Sequence, residues 1–198
     1  FRDAIENQWP HPLEIEEHSH AGMATRYAAG AAGLPFGVLR GYVGTDLPKH
    51  TDSIKMIECP FTGEMLAAVP ALNPDVGIIH AQRADRDGNV QIWGLLGVQK
   101  ETVLASSRSI VTVEEVVDEL PDVAGAIVLP SWVVSSVCHV RNGAHPSFAM
   151  GFSVRDNSFY KAWDPISKDR DAFVAWIDKH VIGTADFAEY CESVGIDA

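Results

Sequence analysis

Three short runs of β-branched and apolar residues constrain this chain most: Val76-Gly77-Ile78-Ile79-His80-Ala81, Ser109-Ile110-Val111-Thr112-Val113 and Ala126-Ile127-Val128-Leu129. Each is too short for a helix and has turn or helix signals beside it, so each reads as a strand. Between the first two, Val98 to Ser107 reads as a helix with Val98, Thr102 and Ala105 on one side. Strands alternating with helices predict an α/β fold, a mostly parallel sheet flanked by helices. Upstream, the Ala-rich stretch Gly22 to Ala32 stops at Gly33 ahead of Pro35, as a helix leading into a strand over Phe36 to Arg40 would. A sheet of at least four strands follows. Trp132 to Cys138 fits either strand or helix.

The last third has another texture. Gly143 to Tyr160 mixes Gly, Pro, Ser and aromatics and reads as an irregular excursion. Two amphipathic helices then follow, one carrying Ala172, Phe173, Trp176, Ile177 and His180, the other Phe187, Tyr190, Cys191 and Val194, with Thr184 as the expected N-cap of the second. They are expected to cover the sheet. With 198 residues, 46% of them hydrophobic, and no Ser/Gly/Pro linker or repeat, the chain reads as a single α/β domain over residues 1–198.

Charge narrows the function. Acids outnumber bases 27 to 15, for a net charge of -12, and no basic run occurs, so a nucleic-acid backbone is not an expected partner. No apolar run approaches the ~18 residues that cross a bilayer, so no membrane role is expected. Cys59, Cys138 and Cys191 lie far apart without a CxxC pair, which suggests reduced thiols and a cytoplasmic location.

Several clusters carry chemistry. In Glu14-Ile15-Glu16-Glu17-His18-Ser19-His20, a His-x-His pair beside carboxylates has two of the ligands zinc takes. No third His or Cys stands at metal spacing, so no metal site is assigned. Ser19 or His18 is instead expected near the N-terminus of the Ala-rich helix, with His18 and His20 open to proton transfer or substrate binding. Asp87-Gly88-Asn89 reads as a tight turn, yet it follows a strand, and loops at the carboxyl ends of strands are where α/β proteins bind ligands. Asn89 is therefore a candidate binding residue. Glu114-Glu115 resembles an acid/base pair but reads better as the acidic first turn of a helix. Arg40, at the end of a candidate strand, suits a carboxylate or phosphate, with a surface ion pair as its alternative. His145 is expected in a turn. There is no GxSxG, P-loop or GxGxxG.

Taken together, "EHSHAGMATRYAAGAAGLPFGVLRGYVGTD" from Glu17 to Asp46 and "PFTGEMLAAVPALNPDVGIIHAQRADRDGNVQIWG" from Pro60 to Gly94 resemble the A subunit of class I CoA-transferases, closest to the glutaconate branch. "VTVEEVVDELP" and "GAIVLPSWVVSSVCHVRNGAHPS" fit the same branch. The resemblance implies a hetero-oligomer with a B subunit, α2β2 or larger, that moves CoA between an acyl-CoA and a small carboxylic acid. CoA is then a substrate, and no permanently bound cofactor is expected. A Glu carboxylate of the B subunit would become a glutamyl-CoA thioester, leaving no catalytic nucleophile in this chain.

The steroid-ring-opening hydrolases of the same superfamily carry a working Glu in the segment leading into the Gly-Met helix. Here Gly22-Met23 is preceded by Ser19, His20 and Ala21. That departure weakens the hydrolase alternative and implies that Ser19 and His20 line the active-site cavity. A catalytically silent scaffold is a further alternative. The family's A subunit normally begins with a strand-helix region bearing a Gly-Gly-Phe loop, absent here, so the chain reads as lacking that region.

Overall fold

A computed structural model describes residues 2–197. In chain order the elements are α1 (Arg2–Glu6), α2 (His20–Ala31), β1 (Phe36–Leu39), α3 (Leu47–His50), β2 (Lys55–Glu58), β3 (Met65–Pro70), β4 (Val76–Asp85), β5 (Val90–Ile92), α4 (Gln99–Ala105), β6 (Arg108–Val117), β7 (Ile127–Leu129), β8 (Ser136–His139), α5 (Asn157–Lys168), α6 (Arg170–Ile177) and α7 (Phe187–Val194). The α/β class holds. The chain divides into two compact units, one reaching Pro74 and taking in Leu104–Ser106, the other formed by Asp75–Val103 and the chain from Ser107 on.

The first unit is an antiparallel three-stranded sheet in the order β1-β3-β2, with α2 packed on β1. The strand expected over Phe36 to Arg40 is thus present as β1, but in this sheet rather than with the runs downstream, because its ladder partners are Ala67 to Pro70. Ala67 and Val69 point inward from β3 and pack with Tyr42 and Ile54 in a small core. Ser19 caps α2, its hydroxyl accepting from Gly22 N–H at 3.1 Å.

The second unit holds the five-stranded sheet β7-β5-β4-β6-β8. The pairs β4/β6 and β6/β8 are parallel while β4/β5 and β5/β7 are antiparallel, so the sheet is mixed. The cause is the Asp87-Gly88-Asn89 turn, which folds β5 straight back on β4. Gly88 sits at φ +86°, a left-handed conformation that suits glycine, and its N–H donates to Asp85 O. By contrast β4 reaches β6 through α4, a crossover that keeps them parallel. Ile79, Ala81, Val111 and Val113 point to the buried face, where Val90, Ile92, Val103 and Leu129 complete the core. On the opposite face Ile78 stays 68% exposed and His80 and Thr112 stand side by side.

Four local expectations change. Glu114 and Glu115 do not open a helix, because β6 keeps pairing with β4 as far as Val117. Trp132 to Cys138 resolves into a single tight turn at Ser131–Val133 followed by β8. The cap of α7 is Asp186, which accepts from Glu189 N–H, while the Thr184 hydroxyl donates back to Val181 O at 3.0 Å. The excursion after Gly143 is shorter than expected, since α5 begins at Asn157 under an Asp156 cap. Aromatic rings join the C-terminal helices: Trp163 of α5 meets Trp176 of α6 at 4.7 Å, and Trp176 stacks on His180 at 4.9 Å.

Candidate active site

The segment before α2 is where the first unit concentrates polar side chains. His18 is nearly sealed, with 1% of its side chain exposed. Its Nε2 lies 2.7 Å from Glu16 Oε1 and 3.0 Å from Arg26 Nη1, and its Nδ1 faces Tyr42 Oη at 3.4 Å. Ser53 Oγ also donates to Glu16. Hydrogen bonds from Ser53 and His18, with the Arg26 charge behind them, hold the Glu16 carboxyl below its usual range. Tyr42, 1% exposed, accepts from Ser19 N–H at 2.9 Å and lies 3.2 Å from Ser19 Oγ. This explains Gly22: a Cβ there would fall 1.7 Å from Tyr42 Oη, so only glycine lets the phenol reach the helix N-terminus.

Beneath Ser19 and His20, then, lies a buried platform, while both residues face solvent. The first turn of a helix leaves backbone N–H groups without helical acceptors and carries partial positive charge. Ser19 satisfies one of them, that of Gly22. The arrangement offers a hydroxyl, an imidazole and backbone donors to an anionic or carbonyl group. Sequence reasoning placed Ser19 here; it missed Tyr42 and Ser53, whose contribution depends on chain returning from positions distant in sequence.

The other expected binding residues are engaged within the protein. Arg40 forms a fork with Glu64, Nε to Oε1 at 2.6 Å and Nη2 to Oε2 at 2.8 Å, the surface ion pair that was its alternative. Asn89 uses its side chain to donate to Asp85 Oδ2 and to accept from Ser131 N–H, and its own N–H donates to Asp85 Oδ1, so it ties the hairpin to the chain after β7. His145, expected in a turn, is in one, half-buried with its side chain 8% exposed.

In the second unit a buried carboxylate went unforeseen. Glu114, with 1% of its side chain exposed, lies 2.9 Å from His80 Nε2 and accepts from Asn142 N–H at 2.7 Å. His80 Nδ1 is 2.8 Å from Thr112 Oγ1, and His139 Nε2 donates to Glu114 O at 3.0 Å. His80 forms part of the wall of a cavity of about 380 Å³ with Gln99, Trp93 and Met150. Since both His80 nitrogens have partners, the group reads as a clamp on β4, β6 and the chain after β8. The signal for it, a lone His in a buried apolar run, was present in the sequence. Among the described residues no group of three or more His, Cys, Asp or Glu is arranged to hold a metal ion, and no helix is long and apolar enough to cross a membrane.

Residues 7–139 match the family model described as Coenzyme A transferase, about two thirds of the chain. The chain belongs to the coenzyme A transferase family. Two of its curated relatives are A subunits of CoA-transferases. It is 61% identical over 190 residues to the A subunit of the 3-oxoadipate CoA-transferase of Pseudomonas knackmussii, covering 96% of this chain and 67% of that protein. It is 33% identical to the A subunit of the glutaconate CoA-transferase of Acidaminococcus fermentans, covering 92% of this chain and 63% of that protein. The crystal structure of the Acidaminococcus fermentans glutaconate coenzyme A-transferase superposes with a TM-score of 0.87 at 31% identity, over 98% of this chain and 66% of that one. The chain thus spans about two thirds of the length of these coenzyme A transferases.

Proposed function

We propose that this chain is the A subunit of a heteromeric CoA-transferase that moves CoA between an acyl-CoA and a small carboxylic acid, with 3-oxoadipate as the favoured acid. The observation that carries this is the 61% identity, over nearly the whole chain, to the A subunit of a 3-oxoadipate CoA-transferase. In this reading the B subunit's Glu carboxylate attacks the thioester carbonyl, expelling CoA thiolate and leaving a mixed anhydride. The thiolate then attacks the Glu carbonyl carbon, releasing the first acid as its carboxylate and forming glutamyl-CoA. The second acid reverses these two steps. Each addition places negative charge on a carbonyl oxygen, and the exposed first turn of α2 suits that charge. Ser19 and His20 are the residues we assign to the lining of the site. Arg40 would join only by exchanging Glu64 for a substrate carboxylate, and Asn89 only by giving up Ser131 or Asp85.

The test uses the protein assembled with its B subunit. With an acyl-CoA donor and 3-oxoadipate, CoA is expected to pass to 3-oxoadipate, with no thioester loss when the acid is omitted. Intact-mass measurement after donor addition is expected to find the CoA mass on the partner. Net hydrolysis without an acceptor acid would favour the hydrolase alternative, and CoA mass on this chain would overturn the assignment of the nucleophile.

A further inference from the structure

Glu16, His18, Tyr42 and Ser19 form a chain of hydrogen-bonding groups in which every hydrogen has a determined place. Glu16 is a carboxylate, since hydrogen bonds from Ser53 and His18 hold its pKa below the usual range. A carboxylate only accepts, so with Glu16 Oε1 2.7 Å away the His18 ring carries a hydrogen on Nε2. His18 Nδ1 faces Tyr42 Oη at 3.4 Å, and Tyr42 Oη lies 2.9 Å from Ser19 N and 3.2 Å from Ser19 Oγ. The His18 and Tyr42 side chains are sealed from solvent, so these atoms satisfy one another. The charged and titratable groups facing His18 are Glu16 from its own segment, Arg26 from α2 and Tyr42 from the chain after β1. Glu16 attracts a cationic ring and Arg26 repels it.

Neutral His18 has a lone pair on Nδ1, and Tyr42 donates to it. The two lone pairs of the phenol oxygen then take the Ser19 N–H and the Ser19 hydroxyl hydrogen. Ser19 Oγ accepts from Gly22 N–H at 3.1 Å and turns its remaining lone pair outward. A proton on Nδ1 reverses the chain. Nδ1–H now donates to Tyr42 Oη, which still accepts from Ser19 N–H, so both lone pairs are used. The phenol hydrogen goes to Ser19 Oγ, and the Ser19 hydrogen turns outward. The same exposed serine is an acceptor in one state and a donor in the other. We propose that Tyr42 is a positioning residue that makes the direction of the Ser19 hydroxyl depend on a proton at His18 Nδ1. The consequence for rate rests on the reading that Ser19 lines the transferase site. There a developing oxyanion needs a donor, which the Ser19 hydroxyl supplies only while His18 is charged.

Nitrogen NMR of His18, assigned by the signal lost in His18→Gln, reads the relay without turnover in the protein assembled with its B subunit. Nε2 is expected to carry hydrogen throughout, and Nδ1 to gain one as pH falls through the histidine range. Ser19→Ala deletes the acceptor that the phenol hydrogen needs in the charged state, so Nδ1 should gain its proton at lower pH. Ser19→Thr, which keeps the hydroxyl, should restore the original midpoint. With an acyl-CoA donor and 3-oxoadipate, kcat is expected to fall at least about tenfold as Nδ1 loses its proton, with KM little changed. Tyr42→Phe and Ser19→Ala should each remove that fall, and Ser19→Thr should keep it; should Tyr42→Phe fail to fold, the serine pair decides. An Nδ1 midpoint that Ser19→Ala does not move overturns the proposal, and so does a fall in kcat that survives Ser19→Ala. No CoA transfer at any pH, with the Nδ1 midpoint still answering to Ser19→Ala, would refute the transferase reading and leave the relay standing.

Discussion

Gly22 shows how one missing atom fixes a site. Alanine is the better helix former by about 1 kcal/mol, so propensity alone predicts that Gly22→Ala stabilises α2. The Cβ would nevertheless sit 1.7 Å from Tyr42 Oη and 2.5 Å from its Cζ. Overpacking of a closed site costs about 1–3 kcal/mol, and here the obstacle is a buried ring. Gly22→Ala is therefore expected to lower the thermal midpoint, and Tyr42→Phe should not rescue it, since Cζ stays in the way. A midpoint unchanged or raised would show that Tyr42 does not hold this position. Glu114 is the corresponding case in the second unit. Removing a buried carboxylate that faces His80 and accepts from Asn142 N–H strands both donors. Glu114→Ala should cost about 3 kcal/mol in urea unfolding, and a loss below ~1 kcal/mol, the value of an ordinary exposed pair, would refute the clamp.

Among the elements, legibility followed how local the determinants were. The helix α2 was readable because its cap, its Ala-rich body and Gly33 are contiguous, and β4 and β6 because they are long and β-branched. The strands β2, β3 and β5 were not, being three to six residues long and defined by ladder partners elsewhere. Glu114-Glu115 was misread because acidic residues favour a helix N-terminus locally, while partners on β4 decide otherwise. In the candidate site the same rule made Ser19 visible and hid Tyr42 and Ser53. The C-terminal helices give an element-level test. Burial, with Lys179 next to it, lowers the His180 imidazole below its usual 6.5. The unfolded chain then takes up a proton that the folded chain resists, so this stability is complete above pH 6.5 and declines as pH falls beneath it. Since His180 stacks on Trp176 and its Nδ1 lies 2.8 Å from Ser193 Oγ, tryptophan fluorescence should report the loosening. His180→Gln is expected to flatten the pH dependence of the melting midpoint below pH 6.5; an unaltered slope would mean that other groups set it.

Among the described residues, two hydrophobic clusters organise the chain. The second unit buries nine residues in its cluster, centred on β4 and β6, whereas the first unit buries four, of which Ala67 contributes little apolar area. Since stability follows apolar area removed from water, the smaller cluster should open at lower free energy. Hydrogen exchange followed by mass spectrometry can see this directly. Amides of α2, β1 and β3 are expected to exchange through openings of lower energy than those of β4 and β6, with urea lowering the two sets at different slopes. Equal opening energies across both units would show one cooperative structure and overturn the division. The consequence for function lies in where the softer unit carries its polar groups. Ser19 and His20 stand at the start of α2, so the residues assigned to the site belong to the unit with the smaller core. Binding of an acyl-CoA by the assembled protein should then slow exchange in α2 more than in β4, and protection that appears first in β4 would move the site away from Ser19.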